Sequence, residues 1–280
     1  MNGIDTAETG AAVTVTRSRH ALTAAGTAAA VVVLAALLGP LVAPASPTAQ
    51  VGLPFDVPSA AHPLGTDAVG RDVLSRLLHG GRAVVLLAAG ATLLASVVGV
   101  TLGVLSGLAG RRPGEFVVRV VDVVAVIPGL LVLLVLAAGF PGSDTAILVG
   151  VGLVSLPFSV RVMRSATRQV AVRGFVDAAR ARGDSRWRIV RHDILPNVTG
   201  TMLAEAGIRF SAAVHLTATA GFLGLGAGTP TANWGRMVNE NTAGIALTVW
   251  PVLAPALLLV TFTVSVNLLA DDLAARWADR

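Results

Sequence analysis

The chain has 280 residues, of which 54% are hydrophobic and only 13% are charged. Soluble globular domains carry about a quarter charged residues, so this composition excludes an ordinary soluble domain. The apolar residues cluster in long runs, which predicts an all-α polytopic membrane protein. Cysteine is absent, which excludes disulfides and thiolate metal sites. All 21 basic residues are arginine, and we attribute the net charge of +5 to membrane orientation, not to nucleic-acid binding.

Residues 1–20 are mostly polar and are predicted to form a cytoplasmic tail that contains Arg17 and Arg19. The apolar run 21–42 follows and is long enough to span a bilayer. A signal peptide has the same order of charge and apolar run and is the alternative. The run is long and no convincing cleavage site follows it, so we predict an uncleaved first transmembrane helix.

The rest of the chain divides by hydropathy into a loop, a membrane domain and a short tail. Residues 43–82 are predicted to form an extracytoplasmic loop that contains a short amphipathic helix. Residues 83–270 are predicted to form a domain of five further transmembrane helices, which makes six in all. The predicted cytoplasmic tail is 271–280. The five apolar runs are 83–108, 123–140, 146–162, 201–225 and 246–269.

Arginines are concentrated in the gaps on one side of the predicted helices. The largest group lies in the loop 163–200, between the fourth and fifth runs. Because positive residues accumulate on the cytoplasmic side, we predict that this loop and both termini are cytoplasmic.

Few ionisable residues lie within the predicted spans. Glu205 and Arg209 are four residues apart and are expected to pair on one helix face. His215 is expected to bond to a neighbouring helix, with a substrate or proton site as the alternative. Three glycines of the second run are spaced by four, which favours close helix packing: Gly99, Gly103 and Gly107.

The sequence contains no phosphate-binding loop, zinc-binding helix pattern or recognisable Ser-His-Asp arrangement. We therefore expect a chain that is not an enzyme and has no catalytic residue, metal site or cofactor of its own.

Residues 174–197 read GFVDAARARGDSRWRIVRHDILPN and combine arginines with a helical pattern. Good helix formers end at Gly183, which can take the left-handed conformation that stops a helix. Asp184 or Ser185 can then cap a second helix. The pattern predicts two short helices joined by a sharp bend.

In the second of these helices, Trp187, Val190 and Ile194 are predicted to share a face, and Pro196 closes the helix or begins the next element. An apolar contact surface is expected from Phe175, Ala178, Ala179 and Trp187. One interpretation is a basic loop that touches lipid headgroups. The other is a rigid docking element for a soluble partner.

The stretch DAARARG, with ILP ending thirteen residues later, resembles the EAA loop of ABC importer permeases. The pattern falls on Asp177, Ala178, Ala179, Gly183 and Pro196. Asp177 stands where the family usually has Glu, so its shorter side chain puts the hydrogen bonding of this position in doubt.

Further stretches extend the resemblance over 62–273. These are HPLGTDAVGRDVLSRLLHGGR at 62–82, GFLGLGAGTPTANWGRMV at 221–238, VDVVAVIPGLL and NLLADDL. Together they resemble the C-type permease subunit of the dipeptide, oligopeptide and nickel importer family. Thr217 is a departure, because the family often has an acidic residue there.

The resemblance implies the type I ABC importer permease fold in a bacterial plasma membrane. It implies a heterodimer with a second permease, two cytoplasmic ATPases that hydrolyse ATP, and an extracytoplasmic substrate-binding protein. The transported solute would be a peptide, with nickel or another small solute as the alternative. A secondary transporter and a non-transporting membrane scaffold are rival hypotheses from other classes.

The resemblance also implies two groups of functional residues. The first, in what we call the candidate coupling segment (174–197), would contact the ATPase: Phe175, Asp177, Ala178, Ala179, Gly183, Trp187, Leu195 and Pro196. The second would contact the binding protein or form an outer gate: Gly65, Asp67, Gly70, Asp72, Pro230 and Trp234. For the four residues between 65 and 72, the alternative is a capped turn that enters an interfacial helix.

Overall fold

The computed structural model describes residues 19–278, so the predicted tail residues 1–18 and 279–280 lie outside it. The described chain is almost entirely helical, which confirms the predicted fold class. Its helices are α1 (Arg19–Val42), α2 (Val73–Leu108), α3 (Arg111–Val126), α4 (Gly129–Gly139), α5 (Asp144–Ala171), α6 (Gly174–Ala181), α7 (Arg186–Ile189), α8 (Leu195–Phe222), α9 (Trp234–Asn241) and α10 (Trp250–Ala278).

The number of spans differs from the predicted six. Within the described residues, four helices are long and apolar enough to cross a membrane, namely α1, α2, α5 and α10, or five if α3 and α4 count as one bent span. The run 123–140 is broken because Pro128 forces Ile127 out of the helical region, and the two helices meet at 81°. α8 is 28 residues long, but its charged and polar side chains lower its hydropathy.

The predicted amphipathic helix of the outer loop is not a separate element. α2 begins at Val73, where Asp72 caps it, and continues without a break for 36 residues. At 1.5 Å per residue its length is about 54 Å, well above the roughly 30 Å of the hydrocarbon core. The loop proper therefore ends at Asp72, and the predicted separate helix is instead the first turns of α2.

α2 packs most extensively on α5, and the three spaced glycines form this contact, as predicted. A Cβ at Gly99 would lie 2.5 Å from Ser159 Cβ, and a Cβ at Gly103 would lie 2.6 Å from Met163 Cβ. Gly107 meets Thr167 in the same way. Only glycine lets the two backbones approach this closely.

The other helices surround this pair. A stripe of α1 that contains Ala29, Val32 and Ala36 is buried, and α1 contacts both α2 and α10. The end of α1 lies beside the first turns of α2, because a Cβ at Gly39 would meet the carbonyl of Leu78. The loop 43–72 therefore lies at this end of α2, and the candidate coupling segment, which packs against Val104, lies at the other end.

Candidate coupling segment and outer loop

The candidate coupling segment forms two short helices with a sharp bend, as predicted. α6 ends before Gly183, whose φ of +80° lies in the left-handed region. The amide of Asp184 donates to the carbonyl of Ala179 over 3.1 Å, a bond that closes the helix end. Ser185 then caps α7, since its hydroxyl accepts from the Arg188 amide at 3.3 Å.

Apolar side chains anchor the segment to the helix bundle. Val176 and Ile194 are fully buried, and Ile189 is almost so. They pack in one cluster with Val104 of α2 and Met163 of α5. Of these anchors, Val176 and Ile189 were not singled out in the sequence, although their apolar character among arginines was the available signal. The segment therefore packs against the bundle as a continuation of its core.

The exposed surface of the segment is smaller than predicted. Phe175 is 39% exposed and Trp187 is 70% exposed, and Asp177 and Ala178 also face outward. Ala179 is fully buried in the anchoring cluster, so the prediction that it contributes to the contact surface is wrong. Ala178 and Ala179 point about 100° apart on the helix, and it is the side of Ala179 that packs against α2 and α5.

The second helix also differs from the prediction that Trp187, Val190 and Ile194 share one face. Trp187 is exposed, Val190 is half-buried and Ile194 is fully buried. The reason is a π-helical turn over Val190–Ile194, which changes the angle between successive residues. Leu195 and Pro196 then begin α8, where a proline needs no amide partner.

At the other end of the bundle, a buried ionic network ties the outer loop to α9. Arg76 is fully buried, with Nη1 3.0 Å from Asp67 Oδ2 and Nη2 2.8 Å from Glu240 Oε2. Arg71 Nε also lies 2.7 Å from Asp67 Oδ2, and its Nη2 lies 3.3 Å from Glu240. The pairing of Arg76 with Glu240 was not predicted, because 164 residues separate them.

Four of the predicted outer contact residues are buried within this loop. Gly65 and Gly70 have φ of +72° and +82°, and a Cβ on either would collide with a backbone carbonyl. Asp72 accepts from the Ser75 amide at 2.7 Å, and Asp67 lies in the ionic network. The prediction of surface contacts at these positions is therefore wrong, and the alternative of a capped turn fits them.

Trp234 and Pro230, the other two predicted contacts, differ in exposure. Trp234 is fully buried, and its Nε1 donates to the carbonyl of Leu77 at 2.7 Å. Its ring fills the space that Gly80 and Gly81 leave open on α2, so Trp234 holds α9 on the bundle. Pro230 is exposed, and of the six predicted outer residues it alone remains available to a partner.

Glu240 is the acid that joins α9 to the outer loop. Burial raises the pKa of its carboxyl above the ordinary value of 4.5, while the positive charges of Arg71 and Arg236 oppose this shift. Removing a carboxylate from water disfavours its charged form, and here this cost exceeds the gain from the arginines.

The polar residues of α8 pair largely as predicted. Arg209 Nε lies 2.9 Å from Glu205 Oε1, and the hydroxyl of Ser159 donates to the same oxygen at 3.2 Å. The Arg209 guanidinium also stacks 4.9 Å above the Phe158 ring. His215 Nδ1 lies 3.2 Å from the carbonyl of residue 211, so among the described residues its bond is within α8 and not, as predicted, to a neighbouring helix.

The chain is similar to known transport proteins in sequence and in fold. Residues 99–279 match the family described as binding-protein-dependent transport system inner membrane component. The chain is 33% identical over 249 residues to the di/tripeptide transport system permease protein DppC of Pseudomonas aeruginosa, covering 86% of this chain and 82% of that protein. It is 34% identical over 216 residues to the probable D,D-dipeptide transport system permease protein DdpC of Escherichia coli, covering 77% and 72%.

The glutathione transport system permease protein GsiD of Pectobacterium atrosepticum is 32% identical over 218 residues, covering 77% of this chain and 72% of that protein. Among solved structures, an inward-facing MetNI methionine ABC transporter matches with a TM-score of 0.59 and 20% identity, covering 72% of this chain and 96% of that one. The resemblance seen in the sequence is thereby confirmed. The chain belongs to the family of binding-protein-dependent transport system inner membrane components and has the fold of a type I ABC importer permease.

Proposed function

We propose that this chain imports di- or oligopeptides as one of two permease subunits of an ATP-driven transporter. Relatives that are about a third identical over most of the chain are named for dipeptide or di/tripeptide transport, which supports the substrate class. The chain would form half of the translocation pore. The glutathione transport permease among the relatives keeps another small solute as the alternative.

Two ATPase subunits would bind to the end of the bundle that carries the candidate coupling segment. The arginines at this end support a cytoplasmic position for the segment and for both termini. A second permease and an extracytoplasmic substrate-binding protein would complete the complex. Closure of the ATPases would move the two permeases as rigid bodies.

The observation that carries the proposal is the shape of the candidate coupling segment. Its inner side is locked to α2 and α5 by buried apolar residues, whereas Phe175, Asp177 and Trp187 project outward. Trp187 also borders a groove of about 360 Å³ between the segment and the end of α2. A force on the exposed face would therefore pass directly into the membrane helices.

The test is the ATPase activity that a dipeptide and its binding protein stimulate in the reconstituted complex. We expect Asp177→Ala and Gly183→Arg to reduce this stimulation at least fivefold. A Cβ at Gly183 would have no neighbouring atom within 4 Å, so the arginine acts through the left-handed backbone and by obstructing the partner.

Matched controls exist away from the segment. Gly142 also has positive φ, at +73°, and open space around it, so Gly142→Arg repeats the backbone strain of Gly183→Arg. Asp56→Ala removes an exposed carboxylate of the outer loop. Both controls should retain stimulation. If all four variants of an assembled complex retain the stimulation of the wild type, the coupling role is disproved.

A further inference from the structure

A glycine-rich connection crosses the outer end of the bundle between α8 and α9. It comprises residues 223–233, which read LGLGAGTPTAN and which we call the outer strap. Gly224 and Gly226 have φ of +76° and +83°, values that glycine adopts without strain. Residues 228–231 are exposed. A segment with this much exposed backbone and glycine is held in place mainly by its tethers to the rest of the fold.

A side chain of α5 tethers the outer strap to the bundle. Asp144 lies in the first turn of α5, and its Oδ1 accepts a hydrogen bond from the Ala227 amide at 2.8 Å. The strap passes so close to this oxygen that a Cβ at Gly226 would lie 2.7 Å from it. Among the described residues, no other hydrogen bond joins the strap to α5. The position of the strap relative to α5 therefore depends on Asp144.

The outer strap covers polar groups inside the bundle. A cavity beneath it is lined by Thr217 of α8, Arg236 of α9 and the strap residues Leu225 and Ala232. Its volume is about 10 Å³, which is room for about one water molecule. Thr217 is 1% exposed and Ala232 is 5% exposed. The strap thus separates these groups from the outer solution in this conformation.

α5 connects the Asp144 tether to the candidate coupling segment. The helix begins at Asp144 and ends at Ala171, and only Val172 and Arg173 separate it from α6. Its 28 residues span about 42 Å. The outer strap, by contrast, begins on α8 and ends on α9. A shift of α5 relative to α8 and α9 therefore changes the distance between Asp144 and the Ala227 amide.

We propose that the outer strap is an extracytoplasmic gate and that Asp144 is the latch that holds it closed. This inference rests on the proposed function, because it assigns the movement of α5 to the ATPases that bind the candidate coupling segment. When they displace α5, Asp144 moves away from the Ala227 amide and the strap uncovers the groups beneath it. Asp144 is a positioning residue, since it acts on the strap and need not contact the solute.

The latch is tested on the purified full-length chain by the accessibility of an introduced thiol. The sequence contains no cysteine, so a single thiol is labelled without background. Thr217→Cys places the thiol beneath the strap, and its alkylation by a charged maleimide measures opening. Asp144→Ala should speed alkylation about tenfold, because a hydrogen bond to a charged group shifts an equilibrium by about that factor or more. Asp144→Asn keeps an acceptor oxygen and should speed it only about threefold.

Ser143→Ala is the matched control for a weakened start of α5. The Ser143 hydroxyl accepts from the Ala146 amide at 3.2 Å and so caps the same helix end. This variant should change the alkylation rate by about twofold or less, because it leaves the Asp144 tether in place. Ala232→Cys supplies a second buried reporter if the Thr217 variant does not fold. The latch is overturned if Asp144→Ala leaves alkylation unchanged, or if Ser143→Ala speeds it equally.

The reconstituted complex separates the gate from the proposed function. ATP should speed alkylation of the Thr217→Cys chain about tenfold, as loss of the same hydrogen bond does. Gly183→Arg should remove this effect of ATP but not the effect of Asp144→Ala. If a dipeptide stimulates ATP hydrolysis while ATP leaves alkylation unchanged, the gate is overturned and the proposed function stands. The proposed function fails separately, when the segment variants hydrolyse ATP like the wild type, and the alkylation rates of the purified chain do not depend on that result.

Discussion

The ionic network of the outer loop allows a direct test of how burial sets the strength of an ion pair. Arg76 is fully buried and lies 2.8 Å from Glu240. Arg180 lies 2.9 Å from Asp177, but these side chains are 51% and 64% exposed. Arg76 is buried and bridges two acids, whereas Arg180 and Asp177 are exposed neighbours on α6, so Arg76→Gln and Arg180→Gln compare a buried network with a solvated pair.

The expected magnitudes follow from the surroundings. Arg76→Gln leaves Asp67 and Glu240 with Arg71 as their remaining close partner, and both acids stay largely away from water. Breaking a buried ion pair from one side costs about 3–5 kcal/mol. Arg180→Gln breaks a solvated pair and should cost about 1 kcal/mol or less, because water replaces the lost contact.

The assay is the free energy of unfolding of the full chain in detergent micelles, measured by denaturant titration. A double-mutant cycle with Glu240→Gln isolates the pair itself and should give a coupling energy of about 1–3 kcal/mol. If Arg76→Gln and Arg180→Gln destabilise the chain equally, or if the cycle gives no coupling, the network does not hold α9 to the outer loop.

Two further predictions concern helix packing and pH. Gly103→Ala places a Cβ 2.6 Å from Met163 Cβ and should cost about 1–3 kcal/mol of unfolding free energy, whereas Gly139→Ala, with no atom within 4 Å, should not destabilise the chain. Equal effects of the two changes would contradict the close α2–α5 packing. Because the pKa of Glu240 is raised in the folded chain, its contribution to stability is complete below its ordinary value of 4.5 and is lost as the pH rises through the folded-state pKa. The stability difference between wild type and Glu240→Gln should therefore move in favour of the wild type as the pH falls from 7, and a difference that does not vary with pH would refute this assignment.

Patterns in the sequence correctly predicted those structural features that depend only on residues a few positions apart in the chain. Gly183 and Ser185 specify the bend of the candidate coupling segment, because each acts on its own backbone within a few residues. The glycines at 99 and 103 indicated close packing, and the motifs around Asp177 and Gly221 indicated the family.

Features that depend on distant neighbours could not be read from such patterns. The burial of Ala179 depends on residues of α2 and α5, and the burial of Trp234 depends on the space at Gly80 and Gly81. Asp67 looked like a surface residue in the sequence, since nothing nearby in the chain shows that Arg76 and Glu240 converge on it.

The sequence by itself determined the membrane class, the family and the ends of the short helices, because hydropathy, charge and capping act over one or two helical turns. Only the tertiary structure decided which side chains of the segment and of the outer loop face a partner. Exposure is set by how α2, α5 and α9 pack together, and that packing joins residues as far apart as Arg76 and Glu240.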